Sequence, residues 1–207
     1  MMFVEAFVPK GALTDDQLDR LAQELTFRGV HGADAEQVDP GVLDFLESLT
    51  NVVIHQADVW IGGGRRLGPG RPPRYVVRVH VPGPWRRALG DHLVTRIFEA
   101  ISRVDSAPDR LESEPVAEVH VLGVPNGGYG VYGRVVDESA LTELIDAAKE
   151  GVTNVPAGMA VDPTCGAIVP LEGERAVTAD VDGTVYAFCC PGCRRHYLKK
   201  REESQVA

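Results

Sequence analysis

The sequence predicts an α+β fold in two parts: a tandem of β-α-β units, then a small hairpin-and-helix domain that holds the cysteines. Three observations carry this. Two strand–helix–strand patterns follow one another within the first 136 residues. A glycine- and proline-rich stretch, GGGRRLGPGRPP at 62–73, separates them as a linker. All four cysteines lie beyond residue 164, with Cys165 in DPTCGAIVP and the other three in FCCPGCRRHY at 188–197.

In the first unit, residues 1–61, Phe3 to Val8 reads as a strand. Thr14 and Gln17 in TDDQ form a capping box, and Leu18, Leu21, Ala22 and Leu25 follow at helical spacing. Asp39-Pro40 starts a short second helix, with Asp at the N-cap and Pro at the first helical position. Its apolar residues are Val42, Leu43, Leu46 and Leu49. Residues 52–61 are rich in β-branched side chains and read as the returning strand. The second unit, 74–136, repeats the order. Tyr75 to Val81 is a strand. Trp85 to Val104 is an amphipathic helix with Leu89, Leu93, Ile97 and Ile101 on one stripe, and Val116 to Leu122 is a strand. Two such units can share one mixed sheet with the helices on one face. The stretch PNGGYGVYGRVV at 125–136 is glycine-rich and lacks a phosphate-binding fingerprint. Asp137 then caps a helix over 138–150. The expected boundary falls in NVPAGMAVDP, giving domains at 1–153 and 160–207. In the second domain, AVTADV-DG-TVYAF is a hairpin signal, and Pro191 opens a helix.

The composition is that of a soluble globular protein: 44% hydrophobic, 25% charged, net charge −9. That charge argues against a nucleic-acid partner, and the run Arg194, Arg195, Lys199, Lys200, Arg201 reads as a solvated helix face. No apolar stretch is long enough to span a bilayer, and MMFVEAFVPKG lacks the features of a signal peptide. The expected compartment is the cytoplasm, where clustered cysteines point to metal or redox chemistry rather than disulfides.

YVVRVHVPGPW, the helix ending in FEAISRV, and VAEVHVLGVPNGGYGVYGR together resemble 4-oxalocrotonate tautomerase of the tautomerase superfamily. MFVEAFVPKGALTDDQLDRLAQELT resembles the start of the same unit. The resemblance implies a fused β-α-β repeat that assembles as a homotrimer. It also implies chemistry centred on an N-terminal proline acting as a base. Met2 stands at that position in the first unit and Tyr75 in the second. Trp85 and Glu118 stand where the family places substrate-holding arginines, and Tyr129 matches its aromatic pocket residue. The resemblance thus implies a remnant pocket of Met2, Tyr75, Trp85, Glu118 and Tyr129 without proline-type catalysis.

DPTCG, the Asp182-Gly183 hairpin and YAFCCPGCRRHY resemble a YHS domain, a relative of the TRASH metal-binding modules, over about residues 160–200. The matching cysteines are Cys165, Cys189 and Cys193. Geometry supports convergence: the hairpin returns the chain to one end, and the helix start favours thiolates at Cys189 and Cys193. Cys190 or His196 is the candidate fourth ligand; Cys190 also forms a C-x-x-C pair with Cys193. The other histidines read as core or sheet-face residues, with His80 and His120 expected to face each other.

The favoured function is binding of a soft or borderline ion, zinc foremost and copper(I) or mercury(II) as alternatives, on a catalytically silent tautomerase-like oligomer. Trafficking to a metalloprotein partner, or sensing, would follow. One alternative is a tautomerase-like enzyme with an altered base and a structural, zinc-ribbon-like staple. Another is an accessory interaction protein for a metalloenzyme.

Overall fold

The computed structural model describes residues 1–152, 154–173 and 176–206. Alternation fixes β1 (Met2–Pro9): Met2, Val4, Ala6 and Val8 are buried while Phe3, Glu5 and Phe7 face the other way. The expected capping box starts α1 (Asp15–Glu24), with the Gln17 N–H bonded to Thr14 Oγ1 and the Thr14 N–H to Gln17 Oε1. Thr26 caps α2 (Phe27–His31), which runs into a 3-10 turn over Gly32–Gln37. α3 (Pro40–Ser48) is the expected short helix, and β2 (Thr50–Ala57) follows it. β2 ends before the predicted 61. Trp60 and Ile61 instead start a hairpin that runs into the expected linker, β3 (Trp60–Gly62) against β4 (Arg65–Leu67), turned by Gly63-Gly64.

β5 (Tyr75–Pro82), α4 (Gly83–Ser102), the one-turn α5 (Arg110–Ser113) and β6 (Ala117–Val124) make the second unit. A short ladder, β7 (Gly130–Val131) with β8 (Arg134–Val135), precedes α6 (Glu138–Ala148), which Asp137 caps as expected. β9 (Met159–Val161) pairs with β10 (Ile168–Pro170), and β11 (Val177–Val181) with β12 (Thr184–Phe188). The last element is α7 (Pro191–Val206).

Packing divides the chain elsewhere than at 153–160. One compact unit is Met1–Gly32 with Leu49–Val124; the other is Ala33–Ser48 with the chain from Pro125 on. The predicted boundary residue 153 lies outside the described residues. The reason for the difference is Asp39. Its buried carboxylate accepts the N–H groups of Gly41 and Val42, which starts α3, and also those of Glu150 and Gly151. α3 packs on α6.

The first unit is a mixed sheet in the order β2-β1-β5-β6, with β1 antiparallel to β5 and each outer strand parallel to its inner neighbour. Two β-α-β units sharing one sheet are thus present. On the covered face Val4, Ala6, Val8, Val77, Val79 and Val81 pack with Leu21 and Leu25, and with Leu93, Ile97 and Ile101 of α4. Each fully buried aliphatic of this kind contributes about 1.5–3 kcal/mol. On the other face Glu5 lies 3.5 Å from His55 Nε2 and 3.3 Å from His80 Nε2. His80 does not face His120: the register sets His80 against Leu122 and His120 against Arg78. None of the described helices is long and apolar enough to cross a membrane.

A buried ion pair locks the start of β5. The Tyr75 hydroxyl donates to Asp105 Oδ2 at 3.0 Å, and Arg110 Nη2 reaches the same oxygen at 2.7 Å. Burial pushes the Asp105 carboxyl up, but Arg110, the Ala107 N–H and the Tyr75 hydroxyl outweigh it and hold the group below its ordinary value. A folded-state value below the unfolded one stabilises above about pH 4 and is lost as pH falls through the folded value. Asp105→Asn is therefore expected to cost about 3–5 kcal/mol at neutral pH. It should also flatten the acid limb below about pH 4. Both tryptophans, Trp60 and Trp85, lie in this unit, so their fluorescence during acid titration is the measurement. An acid limb identical to that of the unsubstituted chain would refute the assignment.

Candidate metal centre

The site is built from two turns and a helix start. Between β9 and β10 the chain reverses through Asp162–Ala167: the Asp162 N–H donates to Ala167 O, and the Gly166 N–H to Asp162 O, both at 2.8 Å. Asp162 Oδ1 accepts the N–H groups of Thr164 at 2.8 Å and Cys165 at 3.4 Å, an Asx turn that aims Cys165. Gly166 has φ +72°, and a Cβ on it would stand 2.5 Å from Asp39 Cβ. The β11–β12 hairpin turns on Asp182 and Gly183, both at positive φ as a tight two-residue hairpin requires. It delivers Cys189 to the same place, where the Cys189 N–H donates to Asp162 Oδ2 at 2.8 Å. Pro191 then starts α7, and Thr164 Oγ1 donates to Cys193 O at 2.9 Å.

Cys165 and Cys189 sulfurs are 3.5 Å apart, as are those of Cys189 and Cys193. Donor atoms of Asp162, Cys165, Cys189 and Cys193 all lie within 4.8 Å of one another. Asp162 is wholly buried, and Cys165 and Cys193 nearly so, while Cys189 is exposed. Hydrogen bonds from the Cys189 and Cys193 thiols pull Cys165 well below the ordinary thiol value against the effect of burial. The Cys165 contact in turn pushes Cys189 and Cys193 up. Burial first, then the neighbouring Cys165, raises Asp162 to about 7. The four donors are anionic when ionised and bring no positive charge of their own, so the set fits a cation.

Cys190 stands just outside this group. The neighbouring Cys189 and Cys193 thiols, and the Cys193 and Gly192 N–H groups, lower its pKa to about 2 against the effect of burial. His196 is not brought to the sulfurs. Its buried Nε2 lies 3.7 Å from Asp146 Oδ2, within ion-pair reach but too long for a hydrogen bond, and has no hydrogen-bond partner. It lines a cavity of about 340 Å³ with Asp146, Lys149, Thr164 and Lys200. Tyr197 is core packing, its ring 5.0 Å from Tyr186 and 5.6 Å from Phe188. The basic run is paired outward, Arg195 with Glu138, Lys200 with Asp146 and Arg201 with Asp182.

The residues of the expected remnant pocket are placed as follows. In the antiparallel β1–β5 register Met2 and Tyr75 fall at opposite ends of the pair. Met2 is buried, and the hydroxyl of Tyr75 is committed to Asp105. Trp85 packs against the core, and exposed Glu118 lies 3.4 Å from His120. Tyr129 lies in the other compact unit, where burial raises its pKa.

Asp162 is the residue that reading the cysteine spacing missed. The available signal was an Asp three residues before a turn cysteine, where its carboxylate can take the turn's N–H groups.

Residues 162–206 match the family model described as the C-terminal TRASH domain. No curated protein matches the chain. Among solved structures, the chain is similar to a native fused 4-OT at 18% identity, covering 64% of this chain and 94% of that one, with a TM-score of 0.39. The macrophage migration inhibitory factor-like protein of Entamoeba histolytica is 7% identical, covering 65% and 97%, with a TM-score of 0.44. MIF2 of Leishmania major is 17% identical, covering 65% and 97%, with a TM-score of 0.41.

Proposed function

We propose that the TRASH domain at 162–206 binds a soft or borderline metal ion through the thiolates of Cys165, Cys189 and Cys193. The observation that carries this is the convergence of three sulfurs from a turn, a hairpin end and a helix start, with two gaps of 3.5 Å. Ligands 2.3 Å from a tetrahedral zinc ion stand about 3.8 Å apart, so little movement is needed for them to close on an ion. Zinc, copper(I) and mercury(II) all take thiolates. The role is capture and hand-on of the ion, in a reducing compartment such as the cytoplasm. Cys189 is the exposed residue of the three, so an incoming partner thiol approaches from its side. The sheet unit serves as a platform that assembles as a homotrimer, without proline-type catalysis and without nucleic acid or membrane as partner. Sedimentation at micromolar concentration tests the trimer; a monomer there removes the platform.

A purely structural staple is the second reading. It is favoured by Thr164 Oγ1 bonding Cys193 O, since an ion there would only reinforce a tie already made. Metal content by mass spectrometry on anaerobically purified protein, with a parallel thiol titration, tests both. Uptake of one ion per chain with loss of three titratable thiols, exchangeable with a competing dithiol, is expected. One ion resistant to exchange supports the staple, and no uptake by the reduced chain refutes the proposal.

A further inference from the structure

We infer that Asp162 is the fourth donor of this centre, which makes it a three-sulfur, one-oxygen site selective for a divalent borderline ion such as zinc over copper(I). The inference rests on the metal-binding reading above and goes further, naming the coordination set and the class of ion.

An ionised carboxylate offers about four lone-pair sites. Backbone N–H groups of Thr164 and Cys165 take two on Oδ1, and that of Cys189 takes one on Oδ2. One lone-pair site is left, on Oδ2. One carboxylate oxygen already belongs to the group of donor atoms within 4.8 Å of each other. The three backbone bonds hold that oxygen in place while bringing Cys165 and Cys189 to it. The rival donors are placed less well. His196 Nε2 is turned to Asp146, and Cys190 follows Cys189 directly and lies outside the mutually close set.

The donor set then selects the ion. Carboxylate oxygen suits zinc and other borderline divalent ions, whereas copper(I) is matched by sulfur alone. Charge points the same way. Four anionic donors meet at a site whose Asp162 is wholly buried and whose Cys165 and Cys193 are only 8% exposed. A divalent ion cancels twice the charge a monovalent ion does, and uncompensated buried charge is costly.

The test uses the full reduced chain loaded with Co2+ as a spectroscopic probe, and Zn2+ and copper(I) in competition titrations. Asp162→Asn, Asp162→Cys, Cys190→Ser, His196→Ala and Cys165→Ser are compared with the unsubstituted protein. Asp162→Asn is expected to shift the Co2+ d–d bands and weaken Zn2+ binding. A residue that only positions a ligand also costs about 10–100-fold in affinity, so the spectrum decides, not the affinity. Asp162→Cys should restore tight binding with bands moved to lower energy, as a fourth sulfur would, and should shift preference toward copper(I). If Asp162 merely held the turns through its N–H bonds, cysteine would substitute no better than asparagine. Cys190→Ser and His196→Ala should leave the bands in place. Unmoved bands in Asp162→Asn, or moved bands in either of those two variants, overturn the assignment of the fourth donor. Should Cys165→Ser take up metal with an unchanged spectrum, the metal-binding reading itself fails; loss of uptake there beside an unchanged Asp162→Asn spectrum fails the fourth donor alone.

Discussion

Cys193→Ser is expected to abolish stoichiometric metal uptake and to loosen the cysteine domain while leaving the four-stranded sheet folded. The domain's own core is small. Ile168, Val169, Ala187 and Phe188 are its buried apolar residues beside Cys165 and Cys193, with Tyr197 packed against Phe188. A core of that size holds its fold marginally without a staple. In zinc-finger peptides the bound ion supplies about 10–16 kcal/mol of apparent free energy, so removing one of its sulfurs removes much of the domain's stability. Serine preserves the volume and leaves the Cys193 carbonyl free to accept from Thr164 Oγ1, so the effect is that of the ligand and not of a cavity. Two measurements check this: metal stoichiometry by mass spectrometry, and amide hydrogen exchange resolved by segment. Exchange should rise over 159–206 and stay slow in β1, β2, β5 and β6, with Trp60 and Trp85 fluorescence unchanged. Full metal content would sink the assignment of Cys193, and faster exchange across the sheet would sink the independence of the two units.

The second large effect is expected at Gly166. A residue with a side chain pays about 1–2 kcal/mol for its left-handed backbone, φ +72°. The new Cβ would also stand 2.5 Å from Asp39 Cβ and 3.0 Å from Asp39 Oδ2. Neither side can yield cheaply, because Asp39 is held by four backbone N–H groups and Gly166 by its own bond to Asp162 O. Forced overpacking of this kind costs about 1–3 kcal/mol. Gly166→Ala should therefore lose about 2–5 kcal/mol and turn Cys165 away from the other sulfurs. Gly183→Ala is the control. Its φ is +78°, yet an added Cβ meets open space, so only the backbone strain remains. Thermal melts of the two variants, read beside their metal uptake, separate strain from collision. Equal losses would mean that the contact with Asp39 carries no weight.

Elements whose signal is local were legible in the sequence. β1, β5 and α4 announce themselves by alternation or by the Leu93–Ile97–Ile101 stripe, and the Thr14–Gln17 box is visible as letters. The three convergent cysteines were legible from spacing plus one hairpin. What was hidden depends on partners distant in sequence. Nothing near Asp39 reveals that its carboxylate serves Glu150 and Gly151, so α3 was assigned to the wrong neighbours. Asp162 was hidden likewise, since its meaning lies in N–H groups of three residues, one of them Cys189. His196 has a ligand's spacing from Cys193, but its side of α7 looks at Asp146. The β3–β4 hairpin was lost because glycine and proline content outweighed two three-residue strands.

The placement of α3 matters for the order in which the chain is made. Residues 33–48 leave the ribosome between the two strands of the first β-α-β unit, yet their packing partners come much later. Glu150, which Asp39 must meet, is 111 residues further on. At 5–20 residues per second that delay is roughly 6–22 seconds, long compared with local folding. Through this interval the nascent chain carries Val42, Leu43 and Leu46 without the α6 helix that α3 packs on. A chaperone that shields short apolar helices would find its substrate there. The cysteines follow α6 in the chain, so an ion can meet all three sulfurs only after these partners have been made.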